Sequence, residues 1–125
     1  MTLPERYDLV IDQGATLKRW FRLLYPDGST VNLVTAGYTV GTMVIRDVYG
    51  GTIMLTMTTA NGGLSVTQEA DAQGTLQSGY FYASPSATAV LTDWGDGVFT
   101  FEIDNGSDVI RALEGIATLS PETTI

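Results

Sequence analysis

The sequence contains neither cysteine nor histidine among its 125 residues. Without them the chain cannot form a disulfide, present a thiol nucleophile, build a Cys/His zinc site or use an imidazole as a catalytic base. Charged residues are also scarce, at 16% of the chain, whereas a typical soluble domain carries about 25%. Most of the charge is acidic, because 14 Asp and Glu outnumber 6 Lys and Arg and give a net charge of -8.

This acidic balance and the shortness of the apolar runs limit the classes of partner. An acidic surface is repelled by phosphate backbones and anionic lipid, so we expect no nucleic acid and no membrane as partner. No apolar run approaches the ~18 residues of a membrane-spanning helix. The first residues lack the basic and apolar regions of a signal peptide, so we expect a protein made in the cytoplasm.

Apolar residues recur at every second position over most of the chain. Leu9 and Ile11, for example, alternate with Asp8 and Asp12. A period of two is typical of half-buried β-strands, and the high threonine content suits the same structure. Seven or eight strands are therefore expected, within residues 6–12, 16–25, 38–46, 52–58, 64–66, 76–82, 99–103 and 109–119.

Turn and capping residues separate these segments. Asn105-Gly106 predicts a type I′ hairpin turn between the last two strands, because both residue types tolerate a positive φ. Ser84 followed by Pro85, with Gly95 further on, predicts a short helix over residues 85–92.

Antiparallel strands with a turn every 8–12 residues predict an all-β fold, a β-sandwich of immunoglobulin-like or jelly-roll-like type. No linker or repeat divides the chain, so residues 1–125 are expected to form one domain. An N-terminal arm (1–5) and a C-terminal tail (120–125) are expected at its ends.

The sequence contains no recognisable set of catalytic side chains. Lys18 is the single lysine and has no Ser-x-x-Lys arrangement around it. Asp8 and Asp12 would lie about 13 Å apart along a strand, too far for a glycosidase pair. Residues 104–108 resemble a calcium loop but lack its downstream glutamate at the right spacing. We therefore expect a protein that is not an enzyme and has no metal or cofactor.

Aromatic residues give the candidate interaction site. Tyr80 and Tyr82 flank Phe81, so at least one aromatic ring of the three must point away from the core. The candidate interface residues are Trp20, Tyr80, Tyr82, Trp94 and, in the tail, Pro121. Aromatic side chains of this kind are typical of protein interfaces, and they also form platforms for sugars.

Turn-and-strand motifs at both ends of the chain carry a family resemblance. They are Asp-Gln-Gly-Ala-Thr at 12–16, Gly-Tyr-Thr at 37–39, Ile-Arg-Asp at 45–47 and the strand and tail at 111–122. Together they resemble small all-β structural proteins of tailed bacteriophages, including the N-terminal domains of baseplate and tail-fibre adaptor proteins. The resemblance implies a non-enzymatic virion component that anchors or bridges subunits in the tail tip, baseplate or neck.

Two alternatives remain open. A capsid decoration (cement) protein would use the same kind of surface, whereas a carbohydrate-binding module would recognise the host surface through Trp94, Tyr80 and Tyr82. The expected partners in the virion are tail, baseplate, fibre, neck or capsid subunits, in multiple copies per particle. The low charged fraction suits a surface that neighbouring subunits cover, and the arm and tail are expected to take part in these contacts.

Overall fold

In the computed structural model, residues 5–91 and 95–121 are described, and within them the chain forms β-strands and one short helix. The alternating segments become strands because their apolar side chains then lie together on one side of a sheet. The all-β prediction is confirmed. The elements are β1 (Glu5–Arg6), β2 (Leu9–Asp12), β3 (Leu17–Phe21), β4 (Val40–Arg46), β5 (Ile53–Thr58), β6 (Leu64–Ser65), β7 (Glu69–Ala70), β8 (Leu76–Gln77), β9 (Gly79–Ala83), α1 (Pro85–Ala89), β10 (Asp96–Asp104) and β11 (Val109–Ser120).

The larger sheet has the order β5–β4–β10–β11, with β1 and β2 both paired along the far edge of β11. Neighbours from β5 to β11 are antiparallel. β1 and β2 instead run parallel to β11, with Arg6 opposite Glu114 and Leu9 opposite Ala117. The prediction of antiparallel strands is therefore wrong at this edge, where the two N-terminal strands lie beside β11.

Asp8 fixes this parallel edge at the point between β1 and β2. Its carboxylate accepts a hydrogen bond from the Ile116 backbone N–H at 3.1 Å and forms an ion pair with Arg6 at 3.0 Å. Gly115 precedes Ile116 on β11, and a Cβ at Gly115 would collide with the carbonyl oxygen of Tyr7. The Ile116 N–H, with a smaller contribution from Arg6, holds the pKa of Asp8 below its usual value.

The smaller sheet has the order β3–β9–β6, and β7 pairs only with β8 in a separate hairpin. The predicted strand 76–82 is thus divided between two sheets, and Ser78 lies at the division. Its buried hydroxyl accepts a hydrogen bond from Leu23 N and donates one to the Val31 carbonyl, each at 2.9 Å. The Ser78 hydroxyl therefore provides hydrogen-bond partners for the Leu23 N–H and the Val31 carbonyl, which would otherwise be buried without them.

Three phenylalanines join the two sheets. Phe21 and Phe81 belong to the smaller sheet and Phe101 to the larger one, with ring centroids 5.0 to 5.4 Å apart. Contacts of this geometry add to the free energy gained by burying the rings. Other large, fully buried side chains of the core are Leu9, Ile11, Leu23, Leu33, Met43, Ile45, Met57, Phe99 and Ile103.

The predicted helix is present but shorter than expected. The Ser84 hydroxyl caps its start by accepting a hydrogen bond from Ala87 N at 3.2 Å. The helix ends at Ala89 and Val90 is its C-cap, so the predicted range 85–92 is too long; Thr92 lies outside the described residues. A helix of five residues depends on packing for its stability, because its own propensity is insufficient.

The hairpin between β10 and β11 is confirmed, but its type I′ turn is wrong. Within the described chain only glycines have a positive φ, so Asn105 does not adopt the conformation that this turn requires. The Asp104 carboxylate accepts a hydrogen bond from Gly106 N at 2.6 Å, and the Asn105 amide oxygen accepts one from Asp108 N at 2.7 Å. These oxygens therefore stabilise the turn.

Strand pairing reaches the inner ends of the predicted arm and tail, because Glu5 begins β1 and Ser120 ends β11. Pro121 of the tail is also described, whereas residues 1–4 of the arm and 122–125 of the tail lie outside the described residues. In the part of the chain that is described, no helix is long and apolar enough to cross a membrane.

Replacing Phe101 with alanine should lower the free energy of unfolding by about 3–5 kcal/mol, because it removes the ring that joins the two sheets. Urea denaturation followed by circular dichroism measures the loss. The control Tyr49→Ala, at a side chain that is 76% exposed, should change the free energy by no more than about 0.5 kcal/mol. Equal losses in the two variants would contradict this role for Phe101.

Asp8→Ala should reduce stability more at neutral pH than in acid. The folded-state pKa of Asp8 is lowered, so its carboxylate stabilises the fold above its unfolded-state pKa of about 3.9. That contribution disappears as the pH falls through the folded-state pKa. Urea denaturation from pH 7 to pH 2 should show the difference between wild type and variant shrinking below about pH 4.

Asp108→Ala provides the control, since the Asp108 carboxylate accepts no hydrogen bond from the described residues. A difference between wild type and Asp8→Ala that stays constant over the whole pH range would show that Asp8 acts through packing alone.

Candidate functional site

Three of the predicted interface residues meet on the outer surface of the smaller sheet. Trp20 on β3 lies opposite Tyr80 on β9, and Lys18 lies opposite Tyr82. Side chains alternate along a strand, so the inward direction of Phe81 turns both tyrosines outward. Lys18, Trp20, Tyr80 and Tyr82 form what we call the aromatic patch.

The members of the aromatic patch contact one another in a defined geometry. The rings of Trp20 and Tyr80 are 5.1 Å apart and nearly perpendicular, at 73°. The Nζ of Lys18 lies 4.8 Å from the centroid of the Trp20 ring and 4.6 Å from that of Tyr80. Both rings are half-buried, whereas Tyr82 is 39% exposed. The ammonium group is therefore held by two aromatic rings, which attract it through their electron-rich faces.

Arg22 adds a second cation beside the aromatic patch. The alternation continues past β3, since Leu23 is buried and Arg22 exposed. The Nε of Arg22 donates a hydrogen bond to Thr30 Oγ1 at 2.7 Å. Its charge also helps to lower the pKa of Asp71, for which the Thr75 backbone N–H is the main cause. Arg22 therefore extends the outward row of Lys18 and Trp20, and the Asp71 carboxylate lies close enough to interact with its charge.

Tyr7 supports the aromatic patch from the neighbouring sheet. Its hydroxyl donates a hydrogen bond to the Trp20 carbonyl at 3.1 Å and accepts one from Nε of Arg19. The Arg19 guanidinium lies 5.3 Å from the centroid of the Tyr7 ring. The sequence analysis missed both residues, although one signal was present. Arg19 falls at the alternating position between the buried Leu17 and Phe21, where a charged residue breaks the apolar pattern, and its side chain is exposed.

Two open grooves border the aromatic patch. Tyr80 lines a groove of about 470 Å³ together with Val34, Leu64 and Val66. Tyr82 lines another of about 340 Å³, which runs past Met57 towards α1. Such grooves can accept apolar side chains of a binding partner. The aromatic patch is therefore bordered by two grooves into which a partner could insert side chains.

The other two predicted interface residues do not join the aromatic patch in the described structure. Trp94 lies outside the described residues. Pro121 is exposed and directly follows β11, a strand of the larger sheet, while the patch is on the smaller one. Three of the five predicted residues, Trp20, Tyr80 and Tyr82, therefore lie together around Lys18, and their role as an interface stays a prediction.

The aromatic patch offers ring faces, phenolic hydroxyls and an ammonium group, which are groups suited to binding. Within residues 5–91 and 95–121, no three acidic side chains come close enough together to hold a metal ion. No protein-family model matches the chain, and no curated protein matches it either. The function must therefore be inferred from the geometry of the molecule.

Lys18 and Trp20 should be energetically coupled in a double-mutant cycle. Comparing Lys18→Met, Trp20→Leu and the double variant by urea denaturation should give a coupling of about 0.5–1 kcal/mol, because the cation lies over the ring. The same cycle with Arg22→Met should give a coupling smaller than about 0.3 kcal/mol, since Arg22 hydrogen-bonds to Thr30 and contacts no ring of the described residues. Equal couplings would show that only general surface charge matters.

Proposed function

We propose that this chain is a non-enzymatic structural domain of a tailed-bacteriophage virion, which anchors or bridges subunits in the tail tip, baseplate or neck. The aromatic patch is the observation that carries the proposal. Tryptophan, tyrosine and arginine are enriched among the residues that contribute most of the binding energy at protein interfaces. In this chain Trp20, Tyr80 and Tyr82 share one surface with Lys18, although only 10% of the residues are aromatic.

The aromatic patch is organised before any partner binds. Cross-strand register fixes Trp20 against Tyr80, and Tyr7 fixes the backbone of Trp20 from the other sheet. Side chains that are already ordered lose little conformational entropy on association. A rigid patch of this kind is suited to a permanent contact between subunits.

The proposed architecture is a β-sandwich of immunoglobulin-like or jelly-roll-like type. The phenylalanines that join the larger and smaller sheets support a face-to-face arrangement, with the core between the sheets and the patch outside. A two-layer domain presents its outer surfaces on stiff strands, which is what a bridging subunit requires.

Residues of the phage-like motifs have structural roles, as expected for a family without a catalytic signature. Arg46 donates a hydrogen bond to the Gly51 carbonyl at 2.7 Å, closing the β4–β5 turn. In the motif at 12–16, the Ala15 carbonyl accepts a hydrogen bond from the Thr88 hydroxyl at 2.7 Å, which attaches α1. These contacts support a structural protein whose motifs maintain turns.

A capsid decoration protein would use the same aromatic patch, and the position in the particle separates the two assignments.

The carbohydrate-binding alternative fits the geometry less well, because a sugar stacks on the flat, open face of an aromatic ring. In the patch, Lys18 covers one face each of Trp20 and Tyr80, and the two rings are nearly perpendicular. The arrangement therefore favours a protein partner.

Incorporation into particles provides the test. The gene would be deleted from the phage and the chain supplied from a plasmid, followed by purification of particles and quantitative mass spectrometry. Trp20→Ala combined with Tyr82→Ala should reduce incorporation at least about tenfold, because truncating hot-spot aromatics costs more than about 1.4 kcal/mol of binding.

Tyr49→Ala is the matched control, since it removes an exposed tyrosine from the β4–β5 turn and leaves the aromatic patch intact. Circular dichroism of each purified variant verifies the fold. Absence of the wild-type chain from particles would overturn the proposal, and so would normal incorporation of the folded patch variant.

A further inference from the structure

Two of the three asparagines in the chain, Asn61 and Asn105, directly precede a glycine. An asparagine side chain can lose its amide nitrogen spontaneously when the backbone nitrogen of the next residue attacks its Cγ. Glycine in that next position favours the reaction, because it has no side chain to obstruct the attack. Both asparagines are exposed to the water that completes the reaction, so their hydrogen bonds are what distinguishes them.

Asn105 lies in the turn between β10 and β11, where hydrogen bonds hold both reacting groups. Its Oδ1 accepts hydrogen bonds from Ser107 N at 2.9 Å and from Asp108 N at 2.7 Å. Two such donors stabilise the negative charge that develops on this oxygen as Cγ is attacked. The attacking Gly106 N donates a hydrogen bond to Asp104 Oδ1 at 2.6 Å, so a carboxylate is within reach of the proton that has to leave.

The two asparagines differ at the amide nitrogen that must leave. The Nδ2 of Asn105 donates no hydrogen bond to the described residues, so nothing in that part of the chain retains it. At Asn61 the Nδ2 donates a hydrogen bond to the Thr56 carbonyl at 3.1 Å. The Oδ1 of Asn61 also accepts hydrogen bonds from Thr58 N at 2.9 Å and Gly63 N at 2.8 Å. The Asn61 amide is thus attached to β5 through both of its atoms, and its nitrogen can leave only after the bond to Thr56 breaks.

We propose that Asn105 is a site of spontaneous deamidation in the folded protein and that Asn61 is protected from it. The Gly106 nitrogen bonds to Cγ of Asn105 and loses its proton, the Cγ–Nδ2 bond breaks, and ammonia leaves with that proton. Water then opens the resulting cyclic imide. Cleavage at Cγ gives aspartate, whereas cleavage at the backbone carbonyl carbon gives isoaspartate, in which the main chain runs through the former side chain. Either product adds a carboxylate to a turn that already contains Asp104 and Asp108.

Incubation of the purified protein at mildly alkaline pH tests the assignment, because loss of the proton from the Gly106 nitrogen then becomes easier. Chymotrypsin places Asn61 and Asn105 in different peptides, since leucines and phenylalanines lie between them. Mass spectrometry measures the conversion of each amide to an acid, and chromatography separates aspartate from isoaspartate. In the folded protein Asn105 should convert at least about fivefold faster than Asn61, because the Asn61 amide must first lose its hydrogen bond to Thr56.

The same chain unfolded in guanidinium chloride is the matched control, because both asparagines still precede glycine there but have lost their native hydrogen bonds. The two sites should then convert at similar rates, and protein that has not been incubated gives the background from digestion. An unmodified Asn105 in the folded protein, or equal rates at Asn61 and Asn105, would overturn the inference. A difference that persists in the unfolded chain would also overturn it, because neighbouring side chains rather than the fold would then set the reactivity.

Discussion

The contact among Phe21, Phe81 and Phe101 determines the direction of the surrounding side chains. Because a strand alternates its side chains, burial of Phe81 turns Tyr80 and Tyr82 outward on β9, and burial of Phe21 does the same for Trp20 on β3. Phe101 imposes the same rule on β10, where it places Glu102 on the outside. The outward direction of the aromatic patch, and of Glu102 on the larger sheet, is therefore a consequence of one core contact.

Periodicity predicted the buried positions of the long strands well, because each apolar pattern there has a single solution. Met43 and Ile45 on β4 are buried as alternation requires, and so are Phe99, Phe101 and Ile103 on β10. The parallel pairing of β1 and β2 with β11 could not be predicted. It joins residues more than a hundred positions apart, and the turns that set antiparallel neighbours are absent there. The division of segment 76–82 was missed because its cause, the buried Ser78 hydroxyl, depends on backbone groups of distant residues.

For the candidate site, the sequence predicted the residue types and the structure added their contacts. Consecutive aromatics at 80–82 already required an outward ring. The position of Lys18 above Trp20 and Tyr80 depends on the register between β3 and β9, and periodicity alone does not determine register. The support from Tyr7 depends in turn on the docking of the N-terminal strands beside β11.

The low charged fraction of the chain is informative because of where the few charged side chains lie. If cations and carboxylates were mixed on every surface, they would mainly promote solubility and give no preferred orientation. In this chain the outer side of the larger sheet carries both signs, since Arg111 lies opposite Glu102, whereas the aromatic patch contains one cation, Lys18, held between two rings. The patch therefore presents ring surface around a single ordered charge, which is the combination that a protein partner can recognise.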